Sequence, residues 1–302
     1  MAAPTDVLDA AFDRLASSGF DEANGFVFHG PMICEALDTL GRPLEVDSWS
    51  RDTSGTAPTH PVAPVGFVWT DALGEPRRAG EWMGHFERTV DADGWRAVLD
   101  EWLPRLLPAM GVALFHGAIR TAHATRAIEV ADTPERRAEL VRSLGYWAAL
   151  YEPGERADDE IRGADDPRLA IVTAAADAAH HYVARPNIIH LHGVTAAMAV
   201  EILVGHTDDA TAARALAQVR AEHAALYGTE TPQLQASVKG IDDETLVAAA
   251  VASGDAHAVK LVEAALRGVA ATGDPIFLAA AERVTRRGLR SLEDTATTDV
   301  DA

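Results

Sequence analysis

Three histidines in this chain stand in the same short pattern, between a bulky apolar residue and a glycine. His29 lies in FVFHGPM, His116 in LFHG and His192 in LHGV. Imidazole is a common ligand for iron, zinc, copper and nickel in proteins. If the fold brings these histidines together, the pattern predicts a metal site built from side chains far apart in the sequence.

Two further groups of side chains extend this hypothesis. In SGDAHAVKLVEAAL, His257 and Lys260 are three residues apart, so they share one face of a predicted helix. In FHGAIRTAHATRA, Arg120 and His123 follow His116 on one helical face. Lys260 is one of only two lysines in the chain, the other being Lys239 in the apparent loop ASVKGIDDE.

Each of these residues also has a simpler interpretation. A single histidine on an apolar helix face is more often a core residue than a ligand. Arg120 is most simply an ion-pair partner, and Lys260 could extend along its helix to water. Tyr146 and Trp147 are most simply core aromatics, although they could also stack on a flat substrate.

Other chemistries have no motif in this sequence. The metal patterns HExxH and CxxC do not occur, nor does the repeated ExxH of di-iron helical bundles. The phosphate-binding patterns GxGxxG after a strand and GxxxxGK[ST] are missing, as is the GxSxG of hydrolases. His190 and His192 form an HxH, so His190 competes with His192 as a ligand.

Composition narrows the possible partners. The chain has 302 residues, with 46 acidic against 26 basic side chains and a net charge of −20. This charge disfavours nucleic acids and anionic membrane surfaces. With only Cys34, no intrachain disulfide is possible, and a cytoplasmic location is the simplest interpretation. We see no signal peptide and no apolar run long enough to span a membrane.

Helical periodicity dominates the sequence, so we predict a mostly α fold with one large domain over residues 1–292. Residues 42–90, rich in proline, serine, threonine and glycine, are expected to form a long irregular N-terminal excursion. Residues 187–194, NIIHLHGV, could be a short strand or the first turn of a helix. Residues 293–302 are expected to be a disordered acidic tail.

Five motifs, in this order and spanning most of the chain, resemble the questin oxidase-like family. They are FHGPM-x-x-EAL-x-x-LGR (28–42), FHGAIRTAHATRA (115–127), L-x-YWAALY (144–151), LHGVTAAMA (191–199) and GDAHAVKLVEA (254–264). The resemblance implies a helical oxidoreductase acting on aromatic polyketides such as anthraquinones. It also implies, for one branch, a non-haem iron held by four histidines and a carboxylated lysine.

Carried over by motif, the resemblance places the metal ligands at His29, His116, His192, His257 and Lys260. Arg120 and His123 would lie around them, orienting a ligand or holding a phenolate or enolate substrate. The expected cofactor is Fe(II), and the expected partners are a small aromatic substrate and dioxygen. Two alternatives stay open: an NADPH-dependent Baeyer–Villiger-type monooxygenase, and a non-catalytic helical protein that binds a hydrophobic ligand.

Overall fold

Short polar side chains mark where most helices begin. An aspartate, asparagine or threonine accepts a hydrogen bond from the first-turn amides of its helix. These capping residues are Asp6, Thr133, Asp166, Asn187, Asp208, Asp242 and Asp255. Prolines at the first positions of several helices also favour helix initiation. Their fixed φ suits a helix, and they lack a backbone N–H that would need a partner.

The computed structural model describes residues 6–21, 27–53, 67–154, 165–228, 230–232, 234 and 240–286. The first helices are α1 (Val7–Leu15), α2 (Gly30–Thr39), α3 (Pro43–Thr53), α4 (Trp69–Ala72), α5 (Ala79–Asp93), α6 (Trp95–Leu106) and α7 (His116–Val130). They are followed by α8 (Pro134–Ala149), α9 (Pro167–Ala184), α10 (Ile188–Val204), α11 (Asp209–Tyr227), α12 (Asp243–Ala252) and α13 (Ala256–Thr272). A further helix, α14, is described over 276–286.

These residues form no β-strand, so the predicted mostly α class is confirmed. The only bridge between extended residues in this part of the chain joins Asp21 and Val27. Helix α10 lies at the centre and packs against α7, α9, α11 and α13. Many of its own buried residues are alanines and valines, and these small side chains let the neighbouring helices approach closely.

The expected excursion over 42–90 was wrong for much of its length. Helix α3 packs on α1 and α2, and α5 packs on α8. In α5 the aromatic rings of Trp82 and Phe86 are buried against Trp102, and this packing outweighs the helix-breaking composition. His85 lies beside these rings.

The other sequence predictions have different outcomes. The segment 187–194 belongs to a helix rather than a strand, because Asn187 caps the start of α10. The predicted acidic tail and Lys239 lie outside the described residues. Within the described helices, none is both long and apolar enough to cross a membrane.

Candidate metal centre

The imidazoles of four histidines lie next to one another in a closed circle. His116 stands 4.9 Å from His29 and 4.7 Å from His192, measured between ring centroids. His257 closes the circle at 4.8 Å from His29 and 5.1 Å from His192. One ring nitrogen from each of the four lies within 4.8 Å of the others. The structure therefore brings together all four predicted histidines and forms a site that is compatible with a metal ion.

The closest nitrogens in this ring have the spacing of ligands around a single ion. The Nε2 atom of His116 is 3.0 Å from that of His29 and 3.2 Å from that of His192. Two ligands ~2.1 Å from one ion lie ~3.0 Å apart at a right angle and ~3.4 Å apart at the tetrahedral angle. Without an ion, such contacts would bring two nitrogen lone pairs together unless a proton lay between them.

The four histidines stand at the beginnings of four helices. His29 immediately precedes α2, His116 is the first residue of α7, His257 is the second residue of α13, and His192 lies in the second turn of α10. Each helix packs on the next around the circle, α2 on α7, α7 on α10, α10 on α13 and α13 on α2. Because helix N-termini carry partial positive charge, this arrangement favours an anion beside any metal ion.

Hydrogen bonds orient three of the imidazoles. The Nδ1 atom of His116 lies 2.6 Å from the carbonyl oxygen of Ala113, and that of His192 lies 2.8 Å from the carbonyl of Ile188. The Nδ1 atom of His257 lies 3.3 Å from a carboxylate oxygen of Asp255. Because a carbonyl can only accept, His116 and His192 carry their proton on Nδ1, which leaves the Nε2 lone pair facing the centre.

A strained turn holds the carbonyl that orients His116. Ala113, Leu114 and Phe115 have φ values of 48°, 54° and 67°, in the left-handed region that these residues rarely occupy. Such conformations cost about 1–2 kcal/mol per residue. Helix α7 begins directly after this turn, so the strain is concentrated beside a candidate ligand, where a functional site can retain it.

Burial keeps three of the four imidazoles neutral, as metal binding requires. Desolvation, with a contribution from the Lys260 cation, lowers the pKa of His116 to about 3 and that of His192 to about 2. The same causes lower the pKa of His29. His116 and His192 are buried, whereas His29 and His257 are partly exposed, so the site opens to solvent on the side of the latter two.

Lys260 lies close to the histidines and has no partner for its amine. Its side chain is 1% exposed, and no hydrogen bond to its Nζ atom is present in the described part of the chain. Burial lowers its pKa to about 7. The Nζ atom is therefore partly a neutral amine at neutral pH, which distinguishes it from an ordinary surface lysine.

Comparison with known proteins does not show a family for this chain. No protein-family model matches the chain, and no curated protein is found to be related to it. The resemblance to the questin oxidase-like family therefore stays an expectation.

A chain of charges, buried at Glu35 and Glu263 and partly exposed at Arg267 and Glu201, connects the same four helices further from the site. Arg126 on α7 binds Glu35 on α2 and Glu263 on α13. Arg267 on α13 then binds Glu263 and Glu201 on α10. Sequence analysis missed this network, although charged side chains at periodically apolar positions of predicted helices could have indicated it.

The two other predicted site residues lie on the same helix as His116, and both pair with carboxylates. Arg120 is fully buried and binds Glu139 through Nε and Nη2, which is the simpler of its two predicted interpretations. His123 pairs with Glu35 and lines a cavity of about 10 Å³ together with Lys260. Their proposed roles toward a ligand or substrate remain predictions.

The competing histidine and the two aromatic candidates are placed elsewhere. His190 approaches the carbonyls of His181 and Arg185 through Nδ1 and is not part of the four-histidine group. Tyr146 and Trp147 are buried in the core. The Nε1 atom of Trp147 donates a hydrogen bond to the Ala109 carbonyl, which fixes that ring in the interior.

Proposed function

We propose that this protein is a non-haem iron-dependent oxygenase acting on an aromatic polyketide or a quinone-like substrate, by ring cleavage or oxygen insertion. The observation that carries the metal part is the closed ring of four imidazoles beside the unpartnered amine of Lys260. The oxygenase chemistry and the substrate class come from the resemblance of the sequence motifs to the questin oxidase-like family.

The donor set suits iron(II). Neutral imidazoles bind iron well, and His29, His116, His192 and His257 would hold it together with one anionic oxygen. When bound, iron(II) supplies the redox chemistry toward dioxygen that no organic side chain of this site provides. Zinc or copper would bind the same histidines, because divalent affinity does not favour iron(II).

Four neutral imidazoles supply no negative charge to a metal ion, and this is the reason to include Lys260 as the source of an anionic oxygen ligand. The buried carboxylates nearest in the sequence to these ligands are already paired, Glu35 and Glu263 with Arg126. A cationic Lys260 would repel a metal ion, whereas a neutral amine can add carbon dioxide and release a proton to form a carbamate. This reaction replaces a positive charge by a negative one and supplies an oxygen ligand. The four helix N-termini further stabilise that charge.

The chain's other residues orient and hold these groups. The carbonyls of Ala113 and Ile188 keep two imidazoles in the binding tautomer. Arg120 retains one buried guanidinium nitrogen, Nη1, without a hydrogen-bond partner in the described structure. We assign it the role of holding an anionic oxygen of the substrate, a phenolate or enolate.

Oxygen uptake by anaerobically iron(II)-loaded protein tests this function. The probes are a panel of hydroxylated anthraquinones and anthrones, with and without NADPH. We expect uptake that requires iron, does not require NADPH and is lost in His116→Ala but kept in His206→Ala. The control histidine pairs with Glu129 outside the ring of four.

Three results would contradict the proposal. Uptake that requires NADPH and not iron would favour the Baeyer–Villiger-type alternative. Tight binding of an anthraquinone without any uptake would favour a non-catalytic binding protein. Uptake unchanged in His116→Ala would mean that the four histidines do not hold the reactive metal.

A further inference from the structure

Aromatic rings lie directly on the glycines that follow two of the candidate ligands. A methyl group added to Gly117, next to His116, would lie 2.6 Å from Cγ of Trp147. A methyl group added to Gly193 would lie 1.7 Å from the hydroxyl oxygen of Tyr227. Both contacts are shorter than any real Cβ tolerates, so only glycine permits these rings to touch the backbone here.

The third His-Gly pair shows the same feature within one short segment. A methyl group on Gly30 would lie 2.5 Å from Cζ of Phe28, the residue that precedes His29. The fourth histidine, His257, is followed by an alanine, and its orientation comes from Asp255 instead. The repeated His-Gly pattern therefore has a physical reason that the sequence alone does not reveal.

The two rings contributed by other helices differ in how firmly they are held. Trp147 on α8 is fully buried, and the atoms nearest to Gly117 are close to its own backbone, so this ring cannot move aside cheaply. Tyr227 is the last residue of α11 and approaches Gly193 with the tip of its ring. Its ring stacks on His181 at 4.3 Å, and its hydroxyl has no hydrogen-bond partner in the described structure.

We propose that Trp147 and Tyr227 are positioning residues of the metal centre. Each ring fixes the peptide that follows a ligand, and thereby the direction in which His116 or His192 presents its lone pair. This inference rests on the proposed metal centre. Ligand geometry must be held within about 0.5 Å for full effect, and a ring pressed on the adjacent backbone provides that restraint.

The molecule contains a matched control for this contact. Gly268, in the second half of α13, would place a methyl group 2.6 Å from Cε1 of Phe277, and no candidate ligand adjoins it. Gly268→Ala therefore introduces the same kind of clash in a buried helix. It separates a general loss of packing from a specific effect on the metal ligands.

Titration of the metal-free protein with cobalt(II) tests the proposal, because the visible spectrum reports both affinity and ligand geometry. Gly117→Ala and Gly193→Ala are expected to weaken cobalt binding about 10–100-fold, as the loss of groups that orient ligands does, and to alter the spectrum. Gly268→Ala should retain the wild-type affinity and spectrum while losing stability in urea unfolding.

Rescue at Tyr227 makes the test specific. In the double variant Gly193→Ala/Tyr227→Phe the clashing hydroxyl is gone, and the next atom, Cζ, lies 3.0 Å from the added methyl. A small shift of the ring then suffices, so we expect most of the cobalt affinity to return.

The outcomes distinguish this inference from the proposed metal centre. Wild-type cobalt binding that Gly117→Ala and Gly193→Ala leave unchanged would overturn the positioning role alone. No cobalt binding by the wild type would overturn the metal centre on which it rests. If neither glycine variant folds, Tyr227→Ala is compared with Phe277→Ala: only the former should weaken cobalt binding, and equal cobalt affinity in the two would overturn the inference.

Discussion

Lys260 is the residue whose burial is least explained by packing. An unpaired amine in the interior costs free energy, and its pKa of about 7 reflects that cost. A protein that used this position only for packing would be better served by methionine. The proposed carbamate would explain the buried amine, since it would turn an unfavourable cation into a ligand.

Carbon-13 NMR with labelled bicarbonate tests this modification. We expect a carbamate signal in the metal-loaded wild type that is lost in Lys260→Met and retained in Lys239→Met, which changes the chain's only other lysine. Metal affinity should fall about tenfold or more in Lys260→Met, within the range for loss of an orienting or ligating group. A carbamate signal that survives in Lys260→Met would assign the modification elsewhere.

At the residue scale, the sequence predicted that the four histidines would lie together, but it did not predict the groups that support them. The shared His-Gly context selected His192 over His190, and the structure places only the former in the group of four. The left-handed turn at Ala113 and the contact between Trp147 and Gly117 could not be predicted. Both depend on a tertiary environment that forces a backbone or a ring into place, and neither leaves a periodic pattern.

At the scale of elements, four helices are joined twice. Their N-terminal ends meet at the four histidines. Further along the helices, the ion pairs of Arg126 and Arg267 connect the same four helices again. Glu35 is fully enclosed, yet its pKa is lowered to about 2, because the attraction of Arg126 and the hydrogen bonds of Arg126 and His123 outweigh desolvation. The network thus holds ionised carboxylates in the core and fixes how the helices pack.

Removing the guanidinium of Arg126 should lower the free energy of unfolding substantially. Arg126→Ala leaves Glu35 and Glu263 buried with fewer partners, and breaking such a pair typically costs about 3–5 kcal/mol. The matched control is Arg137→Ala, which breaks an exposed pair with Asp132 and should cost less than about 1 kcal/mol. Urea unfolding of the metal-free proteins measures both. Equal losses would show that the buried network does not stabilise the fold.

Most helices were predictable at this scale, and the failures have one cause. Apolar periodicity predicted the mostly α class, and capping side chains mark the starts of the helices from α8 to α13. Across 42–90 the composition suggested a loop, yet α3 and α5 form there because Val46, Trp82 and Phe86 are buried against neighbouring helices. Burial of this kind outweighs weak local propensity, and a single sequence does not show which neighbours will supply it.

For the whole molecule, buried neutral histidines predict sensitivity to acid. Burial lowers the pKa of His223 to about 4, and that of His116 to about 3, from an ordinary value of 6.5. The unfolded chain therefore binds more protons than the folded one below pH 6.5, so stability falls as the pH decreases toward 4. His223 alone would contribute about 3 kcal/mol to this loss.

Urea unfolding of the metal-free protein between pH 7 and 4.5 measures this effect. The contribution of Glu35, whose pKa is lowered from 4.5 to about 2, is lost only as the pH falls below 4.5, so it changes little within this window. We expect a steady loss of several kcal/mol across the window, about 1.4 kcal/mol per pH unit for each buried histidine. A free energy of unfolding that stays constant from pH 6.5 to 4.5 would mean that these histidines are not buried and neutral.

The most direct test of the account is the metal content of the untagged protein, purified without chelators and measured by elemental mass spectrometry. We predict about one equivalent of iron per chain in the wild type and in His206→Ala, with a large loss in both His29→Ala and His116→Ala. A wild type that holds no metal, even after anaerobic iron(II) loading, would contradict the account, as would iron retained in full by both ligand variants.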